Sequence, residues 1–508
     1  GMGVVRASVK FMRRRAGFIE QHGLWSGDQR RLAGQIKARI RKDKLKLFRV
    51  AWADPHGVAR AKTITVPAFL AALESGHNIN VATTTLDASG ARTFASFTRG
   101  GGMGLDEMTG SPNLTIVPDP TTFRVLPWEP NVGWVLCDEY FRSGKPFHFS
   151  PRRLLRDQIA RLEKRGMQAL VGLEIEWYLL RLAEDHLTEE HIGAPGLKGR
   201  AIRTYPVEPG YSFHSETNMD LMHVPLSALA DTLEKLDLPL RSLENEWGPG
   251  QVECTFAPRS ALQAADNLIL FRTATRQVSR RMGYLATFMS RPALKGYYSS
   301  GWHLHQSLTD AKSGRNLFMP KLSGEQLSPL GKNYLGGLLH HALASTVLAN
   351  PTINGYRRFR INSLAPDRVA WGYDHRGVML RVLGGPDDPA SRIENRVGEP
   401  AANPYLYIAS QLITGLDGVD RKREPGHPDT DPYTSQRPML PKSLFDALAL
   451  FEKEPLFTKE FGKIFVDYYI RIKRTELQRY ETFAKDYNID SASDATTDWE
   501  QNEYFDLF

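Results

Sequence analysis

The chain has 508 residues, 41% hydrophobic, 24% charged and 10% aromatic, the profile of a folded protein with a sizeable core and not of a disordered one. Lys and Arg number 65 against 57 Asp and Glu, a net charge of +8, but the excess is spread out, no nucleic-acid motif accompanies it, and several arginines share segments with glutamates. That pattern fits a solvated basic surface with an arginine-rich pocket and argues against nucleic-acid binding.

The first 30 residues read as a basic arm (Arg6, Lys10, Arg13, Arg14, Arg15) without the apolar core and cleavage site of a secretory signal. Cys137 and Cys254 are the only cysteines, which excludes a disulfide scaffold and a multi-cysteine zinc site and fits a reducing, cytoplasmic setting. No apolar run reaches the roughly 18 residues of a membrane span. Residues 31–46 are helical and basic. Leu47–Asp54 reads as a strand, and Asp54-Pro55-His56-Gly57 as a turn. Short strands follow at Asn113–Val117 and Thr122–Leu126. These elements make a small α+β unit over 31–148, and a larger one runs from 149 to 508.

The second unit opens on a helix capped by Ser150, with Pro151 in its first turn and an apolar face of Leu154, Leu155, Ile159 and Leu162. Ala169–Leu182 is an apolar strand carrying two acids. Helices are expected over Val224–Lys235, Ala261–Phe288, Tyr334–Ala349 and in pieces between 440 and 485. Strands are expected near 251–257, 301–308, 378–383 and 392–397, and Gly418–Arg437 reads as a loop. Long helices beside many strands give an α+β fold class.

Four short segments carry the chemistry. In a strand, residues i and i+2 share a face, so Glu174 and Glu176 point one way and Leu173, Ile175 and Trp177 the other. The Gly248-Pro249-Gly250 turn can fold Glu246 back beside Glu253. His303, His305 and Ser307 share a third face, and Arg392, Glu394 and Arg396 a fourth. Each segment alone also fits a solvated surface strand or, for a histidine, a structural role. Together they place five glutamates, two histidines and several arginines opposite apolar residues. Inward-pointing charge needs compensation. Oxygen donors with one imidazole suit Mg²⁺ or Mn²⁺ better than Zn²⁺, and adjacent arginines suit phosphate and carboxylate. The residues therefore point to metal-dependent phosphoryl transfer, and the chain has neither a P-loop nor a kinase-type glycine loop.

These motifs, in this order, resemble the glutamine synthetase family over nearly the whole chain. The likeness includes Asp54 in Asp-x-x-Gly, Pro118-Asp119-Pro120-x-Thr122, Glu174-x-Glu176, Glu246 with Gly-Pro-Gly-Gln251-x-Glu253, Gly301-x-His303-x-His305, Asn350-Pro351-Thr352, Tyr356-x-Arg358, Arg376 and Arg381, Arg392-x-Glu394-x-Arg396, Ala401-Ala402-Asn403-Pro404-Tyr405 and Trp499-Glu500. The resemblance implies a β-grasp N-terminal domain, a catalytic domain with a curved antiparallel sheet, and active sites between subunits of a homo-oligomer, two stacked hexameric rings. It implies ATP and two or three Mg²⁺ (or Mn²⁺) ions. Glu176, Glu246 and Glu253 would hold one ion, and Glu174, His303 and Glu394 the second. Arg358 and Arg396 would meet the acid substrate and the phosphoryl group. Arg376, Arg381, Arg392, His305 and Ser307 would line the nucleotide side, and Asp54 of a neighbouring subunit would face the amine.

Two positions depart from the family pattern. Glutamine-forming members carry a glutamate just before an Ala-Pro pair, where it helps hold ammonium. Here the segment is Asn362-Ser363-Leu364-Ala365-Pro366, and leucine replaces the charge with apolar surface. At ~0.8 kcal/mol per buried CH₂, a few carbons give an organic amine a strong advantage over ammonia. Tyr298 and Ser299 stand where the family often places Asn-Gly against the glutamate amino end. The expected activity is an ATP-dependent ligase joining the γ-carboxylate of glutamate to an alkyl-, poly- or arylamine through γ-glutamyl phosphate. The alternatives are glutamine synthesis from ammonia, a guanidino kinase, and a non-catalytic structural homologue.

Overall fold

A computed structural model describes residues 15–360 and 363–508. Arg6, Lys10, Arg13 and Arg14 of the expected basic arm, and Asn362, lie outside the described residues. The helix expected over 31–46 spans Gly27–Lys42, because Ser26 and Gln29 form a capping box that starts it earlier.

Two sheets organise the described residues. The first contains β1 (Leu47–Ala53), β2 (Ala59–Thr65), β3 (His77–Asn80), β4 (Asn113–Pro118), β5 (Arg124–Leu126) and β6 (Glu129–Tyr140), in the order β2-β1-β6-β4-β3 with β5 also on β6. The β1–β6 pair is parallel and the rest are antiparallel, an arrangement compatible with the expected β-grasp. The strand expected from Thr122 begins at Arg124, since Pro120–Thr122 forms a short 3-10 turn.

The β1–β2 turn is built around Asp54. Its Oδ1 accepts from the backbone N–H of His56 and of Val58, both at 2.9 Å, the side-chain mimic of a turn that Asp favours. Gly57 takes φ +78°, and a Cβ there would lie 2.9 Å from Asn403 Cα. The turn thus docks closely on Asn403, which caps the Pro404–Arg421 helix and donates from Nδ2 to Asp54 O and Pro55 O.

The second sheet contains β7 (Met167–Leu182), β8 (Thr204–Pro206), β9 (Leu240–Asn245), β10 (Gln251–Phe256), β11 (Arg259–Ser260), β12 (Tyr284–Thr287), β13 (Trp302–Asp310), β14 (Trp371–Tyr373), β15 (Leu380–Leu383) and β16 (Arg392–Gly398). Its main path is β14-β15-β16-β13-β7-β10-β9, antiparallel except for β14–β15. One face is apolar. Leu173, Ile175, Trp177, Val252, Cys254, Trp302, Leu304 and Ile393 are buried, with Trp302 edge-on to Tyr407 at 4.9 Å between ring centres and Trp177 stacked near Phe288.

Arg152, in the first turn of the Pro151–Lys164 helix, ties the two sheets together. Its buried guanidinium pairs with Asp119 (2.7 Å) and Asp138 (2.9 Å) from the first sheet and with Asp266 (2.9 Å) on the Ala261–Arg281 helix. Fixing three carboxylates with one fork requires arginine.

Three expected helical boundaries are corrected. The helix from Ala261 ends at Arg281, not Phe288. Gly283 turns the chain at φ +89°, and Tyr284–Thr287 pairs with β7 as β12. The helix expected over 334–349 is two, Pro329–His340 and Ala342–Ala349, broken where His341 turns toward Asp417 and Glu454. The 418–437 loop starts late, because the preceding helix runs to Arg421 and stops at Lys422 in a left-handed conformation. Among the described residues, no helix is long and apolar enough to cross a membrane.

Candidate active site

The polar face of the second sheet carries the predicted residues on successive strands. Register sets the contacts: Glu253 on β10 stands opposite Glu176 on β7, His303 on β13 opposite Glu174, and Glu394 on β16 opposite both His305 and Arg381. Glu246 follows β9, and its N–H donates to Gln251 O (2.9 Å) across the Gly-Pro-Gly turn. The turn therefore folds Glu246 back beside Glu253. Ligand atoms of Glu176, Glu246 and Glu253 all lie within 4.8 Å of one another.

Glu174 and Glu394 frame the two histidines. His303 Nδ1 lies 3.2 Å from Glu174 Oε2 and 3.4 Å from Glu394 Oε1. Arg392 Nε donates to His305 Nδ1 at 2.8 Å, so the His305 proton sits on Nε2, 3.0 Å from Glu174 Oε1. Glu394, 1% exposed as a side chain, also receives Arg381 Nη1 (3.0 Å) and Arg396 Nη1 (2.9 Å).

Electrostatics divides the acids into two sets. Burial pushes Glu174 and Glu394 up. Hydrogen bonds from His303 and His305 outweigh it for Glu174, whose carboxyl is held well below the usual range. The charges of His303, Arg396 and His305 bring Glu394 down to about 2. The other three acids have no such company. Burial raises Glu176 to about 7, against a hydrogen bond from Gly301 N–H and the charge of Arg358. Glu246 rises through burial and the charge of Glu176. Glu253 is pushed up to about 12 by burial, by its hydrogen bond with Glu246, and by Glu176 and Glu174. Three crowded carboxyls that resist ionisation are what a cation would relieve.

These groups line a cavity of about 730 Å³, together with Arg358, Arg376, Arg381 and Arg396. A second cavity of about 710 Å³ adjoins it at Glu174 and Glu244 and holds His305, Ser307 and Arg392. The five residues expected on the nucleotide side are thus divided, with Arg376 and Arg381 on the acid-rich side. Arg358 is fixed by Val397 O (2.9 Å) and Arg396 O (3.3 Å). Gly301 lets it approach Glu176, since a Cβ there would sit 2.6 Å from Arg358 Nη2.

Asp54 is not brought to this cavity. Its Oδ2 binds Arg60 Nε (2.8 Å), its Oδ1 is held within its own turn, and its side chain is buried. Leu364 does line the cavity, at its lip, 64% exposed and at φ +61°. Ser363 Oγ anchors this lip to Arg358 O (2.8 Å) and Arg360 O (2.6 Å). Sequence reasoning missed two aromatic side chains of this cavity: Phe213, stacked on His214 at 3.8 Å, and Trp247, against which Tyr211 packs edge-on at 5.2 Å. The one available signal was Trp247, beside Glu246 in a segment already singled out for its acids.

Residues 148–492 match the family model for the glutamine synthetase catalytic domain. The chain belongs to the glutamine synthetase family. Enzymes of this family use ATP and divalent metal ions. Among its relatives, a γ-glutamylanilide synthase of an Acinetobacter species is 43% identical over 96% of this chain and 99% of its own length. A glutamate–isopropylamine ligase of a Pseudomonas species is 30% identical over 90% of this chain and 96% of its own. A solved ligand-free structure of GmaS superposes with a TM-score of 0.73 at 26% identity, covering 91% of this chain and 97% of that one.

Proposed function

We propose that this chain is an ATP-dependent carbon–nitrogen ligase that joins the γ-carboxylate of glutamate to an organic amine, with arylamines its preferred acceptors. The observation that carries the reading is the lip of the acid-rich cavity. By the family resemblance Leu364 stands where a glutamine-forming enzyme needs a carboxylate, and it lines the cavity together with the aromatic side chains of Phe213 and Trp247. Two relatives named for anilide and alkylamide products support it. The aromatic wall favours the former, because rings bury large areas against one another.

The donor set fits two divalent ions, Mg²⁺ or Mn²⁺, with room for a third left open. Glu176, Glu246 and Glu253 would hold one. Glu174, His303 and Glu394 would hold another, with His305 beside them, its Nε2 3.0 Å from Glu174 Oε1. When bound, such ions neutralise charge on the nucleotide phosphates. Arg358 and Arg396 would bind carboxylate and phosphoryl oxygens. Arg376 and Arg381 extend that positive wall, and His305, Ser307 and Arg392 line the adjoining cavity for the rest of the nucleotide.

The γ-carboxylate oxygen attacks the terminal phosphorus and ADP leaves. The amine nitrogen then attacks the acyl carbon, and phosphate departs with the former carboxylate oxygen and, in net, with the proton that the amine nitrogen gives up. An arylamine suits this site electrostatically. Its lone pair is delocalised into the ring, so it arrives neutral, whereas an alkylamine near pH 7 is a cation like lysine and must be held by negative charge and deprotonated. We further propose that Asp54 serves a neighbouring subunit in a cytoplasmic dodecamer of two hexameric rings, and that the catalytic unit spans 149–508 beside an N-terminal unit at 31–148. The clustering of Glu176 with Glu246 and Glu253, of Glu174 with Glu253 and His303, and of Glu174 with His305 and Glu394 supports a catalytic reading over a non-catalytic one. Phosphate release and product mass measured with ATP, Mg²⁺, glutamate and a panel of aniline, isopropylamine and ammonia test the assignment. Efficient glutamine formation with no organic amine used would reject it.

A further inference from the structure

Between the first sheet and the Ala261–Arg281 helix lies a cavity of about 380 Å³, separate from both cavities of the active site. Four arginines line it: Arg49 on β1, and Arg272, Arg276 and Arg280 on the helix. A spacing of four residues puts the three helical arginines on one stripe, about 6 Å apart along the axis.

Little negative charge answers them. Asp506 is the one acidic side chain among the described lining residues. Even with a carboxylate on Phe508, arginines outnumber acids by four to two. Asp506 reaches Arg276 Nη2 at 3.4 Å and Arg280 Nη1 at 3.5 Å, both long. Arg49 donates from Nη1 to Gln277 Oε1 at 2.7 Å. Arg272 is 6% exposed and, among the described residues, donates only from Nη2, to Pro400 O and Ala402 O, while Nε and Nη1 find no acceptor there. Burial draws Arg272 down to about 9 and lowers Arg276 and Arg49 as well. A desolvated guanidinium without a matching acid, as at Arg272, is costly unless an anion joins it, and Arg276 and Arg280, 31% and 39% exposed, leave the cavity open to one. The remaining walls include Trp134, Ile269 and Leu285, which suit a carbon skeleton better than a bare ion.

We propose that this cavity binds a small organic anion carrying two or more carboxylate groups, read by arginines on successive helical turns. The opposite wall is Gly57, Val58 and Ala59, the segment that leaves the Asp54 turn. Occupancy would therefore fasten that turn to the helix behind the catalytic sheet and give the enzyme an anion-sensitive contact outside its substrate sites.

Isothermal titration of the full chain, metal-free, with citrate as probe tests this. Saturable binding of one citrate per chain is expected. Arg276→Gln combined with Arg280→Gln should weaken it at least about tenfold, the loss of one charge-assisted hydrogen bond or more, and Arg358→Gln in the active site should leave it unchanged. Inorganic phosphate, a single-centre anion, should bind at least about tenfold more weakly than citrate. Arg49→Gln gives a second reading should the double variant not fold. Absence of saturable binding, loss in Arg358→Gln but not in the cavity variants, equal binding of phosphate, or a response that sodium chloride of matched ionic strength reproduces would each overturn the proposal.

Discussion

Replacing Leu364 by glutamate tests the acceptor assignment at one atom cluster. In the structure this side chain is 64% exposed at the lip of the acid-rich cavity. Full burial of a leucine is worth about 1.5–3 kcal/mol, so an acceptor ring that covers the exposed part gains about 1–2 kcal/mol, roughly five- to thirty-fold in kcat/KM. Glutamate forfeits that contact. It also supplies a charged hydrogen-bond acceptor for ammonium, worth about 1.5–3 kcal/mol and roughly ten- to a hundred-fold for ammonia. The ratio of kcat/KM for aniline to that for ammonia should therefore fall by about two to three orders of magnitude. Phosphate release with mass detection of γ-glutamylanilide and glutamine measures both arms. A ratio within about threefold of the wild type, less than 1 kcal/mol, would refute the argument that this lip selects the acceptor.

The metal assignment predicts that Glu176→Gln with Glu394→Gln abolishes ligation and the Mg²⁺-induced rise in Tm while leaving the metal-free protein folded; retained activity would refute the two-ion site. Arg152→Leu leaves Asp119, Asp138 and Asp266 as buried carboxylates without their shared cation and should cost about 3–5 kcal/mol of stability by denaturant titration. Burial, joined by the charges of Asp138 and Asp54, raises the Glu139 carboxyl to about 8 against a hydrogen bond from Ser150. The folded chain therefore keeps a proton that the unfolded chain releases above its ordinary value near 4.5. Its contribution is full below that value and is lost as pH rises toward 8, at up to about 1.4 kcal/mol per pH unit. Glu139→Gln should flatten the fall in Tm between pH 5 and pH 8, at the scale of one proton, and an unchanged slope would place that proton elsewhere.

What was legible in the sequence followed a short period. The i, i+2 spacing in strands placed Glu174 with Glu176, His303 with His305, and Arg392 with Glu394 and Arg396, and all seven face the cavities as the pleat requires. Capping also read well: Ser150 accepts from Arg153 N where the pattern placed a helix start. Boundaries failed where a local preference met a tertiary partner. Tyr284–Thr287 looked like more helix because its apolar residues continue the stripe, yet β7 offers them a ladder. The apolar run around His341 favoured one helix although that residue and His340 interrupt it, and Asp417 Oδ2 at 2.6 Å draws His341 aside. The aromatic wall was invisible for a different reason. Phe213 and Trp247 lie in turns with no periodicity, and only the fold brings them to the cavity that Leu364 also lines.

Asp54 marks the limit of motif reading. Its position in Asp-x-x-Gly implied a role facing the amine, but within one chain both carboxylate oxygens are engaged, Oδ1 by two backbone N–H groups and Oδ2 by Arg60. A carboxylate so satisfied has no lone pair directed at its own chain's site, and releasing Oδ2 would strand a charge that is now buried. Its first effect is therefore to hold the shape of the turn. The same turn leads into Gly57, Val58 and Ala59 on the wall of the arginine cavity. The segment that carries Asp54 thus couples two features a linear reading kept apart, a family motif and a stripe of arginines more than two hundred residues away.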